Sequence, residues 1–354
     1  MSDANTEQRS ARFQDLVDLL LSVPKSNFDP FHVHRTSYRS AGRDIGTDVL
    51  VPKRPFKGTS RPVMVRIHGG FLVTGSSLFP AWFSKWILDY AELHSAVIIS
   101  PDYRLLPEVK GTDILDDMAA FWTWFHKGGP SGILQQSGYR EKLDPSKLLL
   151  LGESAGGYLA VQSVLSGFVE PNAMVLLYPM LDMKADHYTK EYTKPIVNVP
   201  NFPSNLVVDF LATLPPTDDK RHEQAITEAD PPARLDLALA SVQTGRYLDF
   251  IGTEPRLFVL DRIESGDYAR RKSGKGAVLP PVFLLHGNED SAVPIQGSHS
   301  FLEVLKKADR NAPVHTAFRA GDHGFDFQAT LDDEWLLAGL KWAEEEWLVE
   351  RSKM

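Results

Sequence analysis

The pentapeptide Gly152-Glu153-Ser154-Ala155-Gly156 constrains the fold of this 354-residue chain more than any other feature. It follows the apolar run 147–151 (KLLLL) and precedes a helical pattern over 158–165. A serine on so sharp a strand-to-helix turn is held in a strained backbone. The positions two away on either side must then be small, or side chains collide. The turn exposes the Ser154 hydroxyl and leaves the Ala155 amide at a helix start, where it can bind an oxyanion. A G-x-S-x-G alone is common; the strand before it and the helix after it make it specific.

Other apolar, β-branched runs end in the same way. Residues 62–67 (PVMVRI) run into His68-Gly69-Gly70-Phe71, and 96–100 (AVIIS) run into Pro101-Asp102-Tyr103-Arg104. Residues 174–178 (MVLLY) and 282–285 (VFLL) follow, the latter ending at His286-Gly287, and 314–319 reads as a further strand. Short continuous apolar runs suit strands buried on both faces of a parallel sheet. Helical patterns over 113–126, 158–165, 300–307 and 332–350 lie between or after them. Alternating strands and helices imply right-handed crossovers, and so an α/β fold with a mostly parallel, doubly wound sheet. Residues 31–38 and 48–51 suit an antiparallel edge hairpin, and the spacing of Phe13, Leu16, Val17, Leu20 and Leu21 suits an amphipathic helix.

The rhythm breaks over residues 184–277, which carry eight of the chain's prolines among polar and aromatic residues, with helical pieces at 205–214 and 233–240. Roughly ninety residues are too long for a simple loop. The expected organisation is a core of residues 1–183 and 278–354 with a helical cap insertion at 184–277, joined by the amino-terminal helix.

The chain has no cysteine, which excludes disulfides, thiolate metal sites and a cysteine nucleophile. With a net charge of -8 it carries no electrostatic footprint for nucleic acid. No uncharged apolar run approaches the roughly 20 residues of a membrane span, and the amino terminus does not read as a signal peptide. A cytoplasmic protein is the expectation, and a homodimer is compatible with it. His32 and His34 alternate on a strand without a third ligand nearby, so no metal is expected. No phosphate-binding glycine motif is present, and no cofactor is expected. Asp116 and Asp117, near a helix start, read as a solvated face favoured by the helix dipole. Phe121, Trp122, Trp124 and Phe125 read as packing aromatics.

A serine hydroxyl needs a base, and the base needs an orienting carboxylate. In this strand–helix arrangement they follow in the order Ser, acid, His. Asp290, just past the strand 282–285, is the expected acid, with Glu289 the alternative; His323, in the loop after 314–319, is the expected base. The glycines of His68-Gly69-Gly70 let backbone amides approach a developing negative charge. Gly69 and Gly70 therefore pair with Ala155 as the expected oxyanion hole, while His68 itself reads as structural.

These residues resemble the hormone-sensitive-lipase-like branch of the α/β hydrolases, which includes many carboxylesterases. The likeness rests on IHGGF (67–71) with Gly75-Ser76, PDYRLLPE (101–108), GESAGG (152–157) and DHGF (322–325). It implies an α/β-hydrolase fold, a triad of Ser154, Asp290 and His323, and a small-molecule ester-like substrate. The family usually carries a third glycine where this chain has Phe71. That departure leaves open whether the Gly69 and Gly70 amides or those of Gly70 and Phe71 serve, and a bulky Phe71 would narrow the acyl pocket. Residues 286–294 look more like prolyl-oligopeptidase relatives. The whole is also similar to hydrolases encoded beside fungal polyketide pathways.

The expected reaction is hydrolysis of esters with short acyl chains through an acyl-enzyme. Three alternatives stand beside it. A lactone, thioester or amide could be the substrate, since the His-Gly-Gly-aromatic run is similar to that of arylformamidases. Acyl transfer or cyclisation of a pathway intermediate could replace hydrolysis. A non-catalytic receptor, as in the plant gibberellin receptors of similar fold, would have lost the histidine that this chain retains.

Overall fold

Each apolar run sends successive side chains to opposite faces of a sheet, and both faces are covered. Val63, Val65 and Ile67 join one buried cluster while Met64, between them, joins the other. Leu148 and Leu150 alternate with Leu149 and Leu151 in the same way, as do Val282 and Leu284 with Phe283 and Leu285. Two-sided burial of this kind is what a parallel sheet between helical layers requires. The computed structural model describes residues 3–271 and 277–349.

The strands are β1 (Phe31–Ser40), β2 (Arg43–Pro52), β3 (Ser60–Ile67), β4 (Val97–Pro101), β5 (Lys142–Glu153), β6 (Ala173–Leu177), β7 (Val282–Gly287) and β8 (Val314–Arg319). They form one sheet in the order β1-β2-β4-β3-β5-β6-β7-β8. β1 pairs antiparallel with β2 and β2 antiparallel with β4; from β4 to β8 every pairing is parallel. The expected edge hairpin is thus present, and longer than its apolar residues marked.

The helices are α1 (Asp3–Leu21), α2 (Lys85–His94), α3 (Gly111–His126), α4 (Gly129–Gln136), α5 (Ala155–Leu165), α6 (Asp186–Thr189), α7 (Asn205–Thr213), α8 (Asp218–Gln224), α9 (Leu235–Gln243), α10 (Tyr247–Ile251), α11 (Val259–Ser265), α12 (Gln296–Ala308) and α13 (Glu334–Trp347). α2 and α13 cover one face through Trp86, Ile87, Leu336, Leu340 and Trp347; α3, α5 and α12 cover the other. Helices α6–α11 all lie between β6 and β7; α6, α7, α9 and α10 pack on one another, α10 also on α3, and α11 mainly on α12. The residues 272–276 of this stretch, like 350 at the end of the last helical pattern, lie outside the described residues.

One expectation is corrected. Asp116 is exposed, but Asp117 is fully buried and not part of a solvated face. It accepts hydrogen bonds from the Arg104 side chain at 2.9 Å and from Ser40 Oγ at 2.6 Å. Asp117 lies in the second turn of α3, past the orphan amides that a helix start offers, and faces the sheet. Burial pushes its carboxyl up, against the pull of Arg104.

Candidate active site

Ser154 lies at the tip of the turn joining β5 to α5, with φ 53° and ψ -119°. That conformation costs a non-glycine residue on the order of 1–3 kcal/mol and persists only where the surroundings enforce it. The enforcement is visible. Ser154 N–H donates to Leu177 O at 2.8 Å, and Met180 N–H donates to Ser154 O at 3.0 Å. The flanking glycines are obligatory: a Cβ at Gly152 would overlap Gly156 O, and one at Gly156 would overlap Ile67 O. Ala155 opens α5, so its amide is among the orphan donors of the first turn.

Behind the serine, Glu153 is buried against Arg66, whose guanidinium also donates to Ser77 O at 2.9 Å and to Trp82 O at 2.8 Å. Burial raises the Glu153 carboxyl to about 7, although Arg66 works in the opposite direction. The Gly69 backbone is also hydrogen-bonded to this carboxyl. Sequence reasoning missed this pair; the signal was a lone arginine within the apolar strand PVMVRI.

The loop after β3 runs alongside. At Gly69 an added Cβ would stand 3.1 Å from Ser154 Cβ, and at Gly70 (φ 98°) it would overlap Thr74 O. The next two residues, Phe71 (φ 54°) and Leu72 (φ 61°), also adopt left-handed conformations. This is the backbone reason a glycine suits position 71, and a phenylalanine there must be held. Tyr247 Oη donates to Phe71 O at 2.8 Å, and Val73 N–H donates to Gly70 O at 2.9 Å. His68 is buried, stacked on Tyr103 at 4.3 Å, and desolvation with the nearby Arg66 charge lowers it to about 3. It is a neutral structural ring.

Asp290 and His323 come from the loops after β7 and β8. Asp290 Oδ1 accepts from Ala292 N–H (3.0 Å) and Val293 N–H (2.7 Å), and Oδ2 accepts from His323 Nδ1 at 2.8 Å. Glu289 instead accepts from Gly321 N–H at 2.5 Å. Burial disfavours the Asp290 charge, but His323 and the hydrogen bonds to it outweigh that and hold the carboxyl below the usual range. Burial likewise opposes charge on His323, and Asp290 reverses the balance, raising the imidazole above its ordinary value. The Tyr178 ring lies 4.4 Å from that of His323. Asp322 joins the two loops, accepting from Ser291 Oγ and N–H.

Ser154, His323, Gly69, Gly70 and Phe71 line one cavity. Among the described residues the Ser154 hydroxyl makes no side-chain hydrogen bond, so the ring reaches the shared cavity without being tied to the serine. The remaining wall is Leu16 and Leu20 of α1, Thr74, Trp82, Glu153, Tyr178, Ile196, Val197, Leu235, Leu239, Ala292 and Phe327. It is almost wholly apolar, and Glu153 faces its own arginine.

A sequence profile described as alpha/beta hydrolase fold matches residues 64–246, just over half of the chain. The chain is also 33% identical to a probable carboxylesterase, M8, of a Phoma species over 84% of its own length and 91% of that protein. The chain belongs to the alpha/beta hydrolases. It is 31% identical to a probable carboxylesterase, clz11, of Cochliobolus lunatus, over 60% of this chain and 92% of that one. Among solved structures it is similar to an esterase of Pyrobaculum calidifontis (TM-score 0.56, 19% identity, 98% of this chain and 92% of that one), a likeness of fold. As a carboxylesterase-like alpha/beta hydrolase the chain carries Ser154 and the loops after β3, β7 and β8 on a single, mostly parallel sheet. No helix among the described residues is long and apolar enough to cross a membrane.

Proposed function

We propose that this chain hydrolyses neutral carboxylic esters with Ser154 as nucleophile, His323 as base and Asp290 as the carboxylate that orients it. The observation that carries the reading is the 2.8 Å hydrogen bond from His323 Nδ1 to Asp290, with the imidazole bordering the same cavity as the strained serine. With Nδ1 donating to Asp290, a neutral ring has Nε2 free to accept a proton. Ser154 Oγ attacks the ester carbonyl while its proton passes to Nε2. The tetrahedral intermediate collapses, His323 returns the proton to the leaving alcohol, and water then attacks the acyl-enzyme by the same sequence.

The Gly70 and Ala155 amides hold the oxyanion in this reading. The Gly69 amide is the weaker candidate, because the Gly69 backbone already serves the Glu153 carboxyl. Residues 184–277 act as the cap and supply Ile196, Val197, Leu235 and Leu239 to the cavity wall. Phe71 and the apolar wall favour short, uncharged acyl groups, since a charged group entering it would lose its hydration without a partner.

The test is turnover of p-nitrophenyl esters of increasing chain length, with a fluorophosphonate probe on the same samples. Acetate and butyrate should exceed long-chain esters, and Ser154→Ala should abolish both turnover and labelling. Undiminished turnover by Ser154→Ala, or by His323→Ala, would overturn the assignment. Product analysis with an added alcohol separates hydrolysis from acyl transfer.

A further inference from the structure

His286 is a fully buried titratable group that the reaction as written leaves without a task. It stands in the last turn-ward residues of β7, four positions before Asp290. Its Nε2 lies 2.8 Å from Val293 O and 3.2 Å from Asp290 Oδ2, and its Nδ1 lies 2.8 Å from Ser298 Oγ on α12. A carbonyl oxygen only accepts, so Nε2 must carry a proton. With that one ring proton, Nδ1 accepts from the Ser298 hydroxyl. The Nε2–H is shared between Val293 O and the very carboxylate oxygen that receives His323 Nδ1.

The Asp290 carboxylate is therefore held at both ends. Two backbone amides fix Oδ1, and two imidazoles meet at Oδ2. The other titratable groups around this oxygen are Asp322 and Asp326 beyond β8, Tyr178 after β6, and His187 and Tyr188 of α6. None of them donates to Asp290. Without His286, Oδ2 would keep only the ring that it has to aim.

We propose that His286 and Ser298 are positioning residues for catalysis: Ser298 fixes the His286 tautomer, and the His286 N–H fixes the Asp290 carboxylate that aligns His323. This rests on the reading of Asp290 and His323 given above. Sequence alone carries the pattern as His286-x3-Asp290-x7-Ser298, one strand end, one loop and one helix.

The experiment measures kcat, KM and the pH profile of kcat/KM on p-nitrophenyl butyrate for His286→Leu, His286→Gln and Ser298→Ala. Thermal unfolding and fluorophosphonate labelling follow on each, with Asp290→Asn and His323→Ala beside them. His286→Leu should lower kcat about tenfold or more with KM changed by less than about threefold, because alignment and not binding is lost. His286→Gln, which restores an N–H donor, should recover kcat to within about threefold of the parent. Ser298→Ala should fall between them. A carboxylate stripped of a donor pulls harder on the His323 proton, so the acid limb should move to higher pH in His286→Leu, a shift that loss of packing alone would not give.

Should His286→Leu fail to fold, Ser298→Ala and His286→Gln decide. Ser298→Ala at parental kcat and acid limb overturns the proposal, as does a glutamine variant no better than leucine. Asp290→Asn and His323→Ala that still turn over and label would instead overturn the parent reading.

Discussion

Protonation of one imidazole sets how the activity of this enzyme should depend on pH. In the proposed reaction His323 must be neutral to take a proton from Ser154, and Asp290 raises the imidazole above the ordinary histidine value. Activity is then lost as pH falls, and the acid limb of kcat/KM should lie above about 6.5, the unperturbed position. A limb well below 6.5 would contradict the Asp290–His323 geometry. The stability of the fold depends on another charge. Asp117 and Arg104 are both buried, and Asp117→Asn leaves the guanidinium without its hydrogen-bonded counter-charge, so the variant should unfold about 3–5 kcal/mol more easily in urea. A loss under about 1 kcal/mol would mean that Arg104 finds another partner. These two residues also show what a sequence discloses. The placement of Ser154, Asp290 and His323 was legible because each follows the end of an apolar strand run, at β5, β7 and β8. Asp117 was misread because its partner Arg104 sits in an irregular segment 13 positions earlier, and no periodicity joins a loop to a helix face.

Strands were the legible elements, since two-sided burial writes itself as an apolar run, and β8 matches its run end to end. β5 begins five residues before its apolar run because Lys142, Leu143 and Asp144 pair with β3 ahead of an irregularity between Pro62 and Val63. α2 went unnoticed: its helical stretch follows the 80–82 turn with no side-chain cap, and its buried Trp86, Ile87 and Tyr90 mark a face only once the sheet is known. The contacts between the loop after β3 and the segment 228–234 were wholly illegible. Gly75 bridges Ala229, Thr74 Oγ1 lies 2.7 Å from both Ala229 O and Ala233 O and shares its one proton between them, and Ser76 Oγ donates to Asp230 at 2.5 Å. Arg35 joins Asp48, Asp102 and Glu228 at the same seam. The element that carries the Gly70 amide is thereby backed by the insertion. Tyr247→Phe tests the coupling. It removes the hydroxyl that donates to Phe71 O, leaving a buried carbonyl unsatisfied at about 1–3 kcal/mol. If half of that reaches the oxyanion geometry, kcat should fall several-fold at nearly constant KM; a rise in KM alone would assign Tyr247 to substrate binding.

At the scale of the whole molecule, the question is what closes the cavity above the serine. The sheet supplies the floor, the segment between β6 and β7 supplies much of the wall, and α1, remote in sequence, supplies Leu16 and Leu20. α1 is anchored by Val17 and Leu20, which are buried, by Phe13 edge-on to Phe202 at 5.5 Å, and by Arg9 over the same ring at 5.7 Å. Burying Val17 and Leu20 contributes roughly 1.5–3 kcal/mol each, while every strand of the eight-stranded sheet lies outside residues 1–22. A chain lacking residues 1–22 should therefore still fold, with its unfolding temperature lowered by several degrees. Its cavity loses one apolar wall. KM for p-nitrophenyl acetate should rise several-fold through lost contact area, and the ratio of long-chain to short-chain turnover should increase because the limit on acyl length has been removed. The two effects have opposite consequences for different substrates, so general damage to the protein cannot imitate them. An unchanged chain-length profile in a folded truncated chain would mean that α1 only covers the molecule, and that the cap and Phe71 alone set the size of the acyl group.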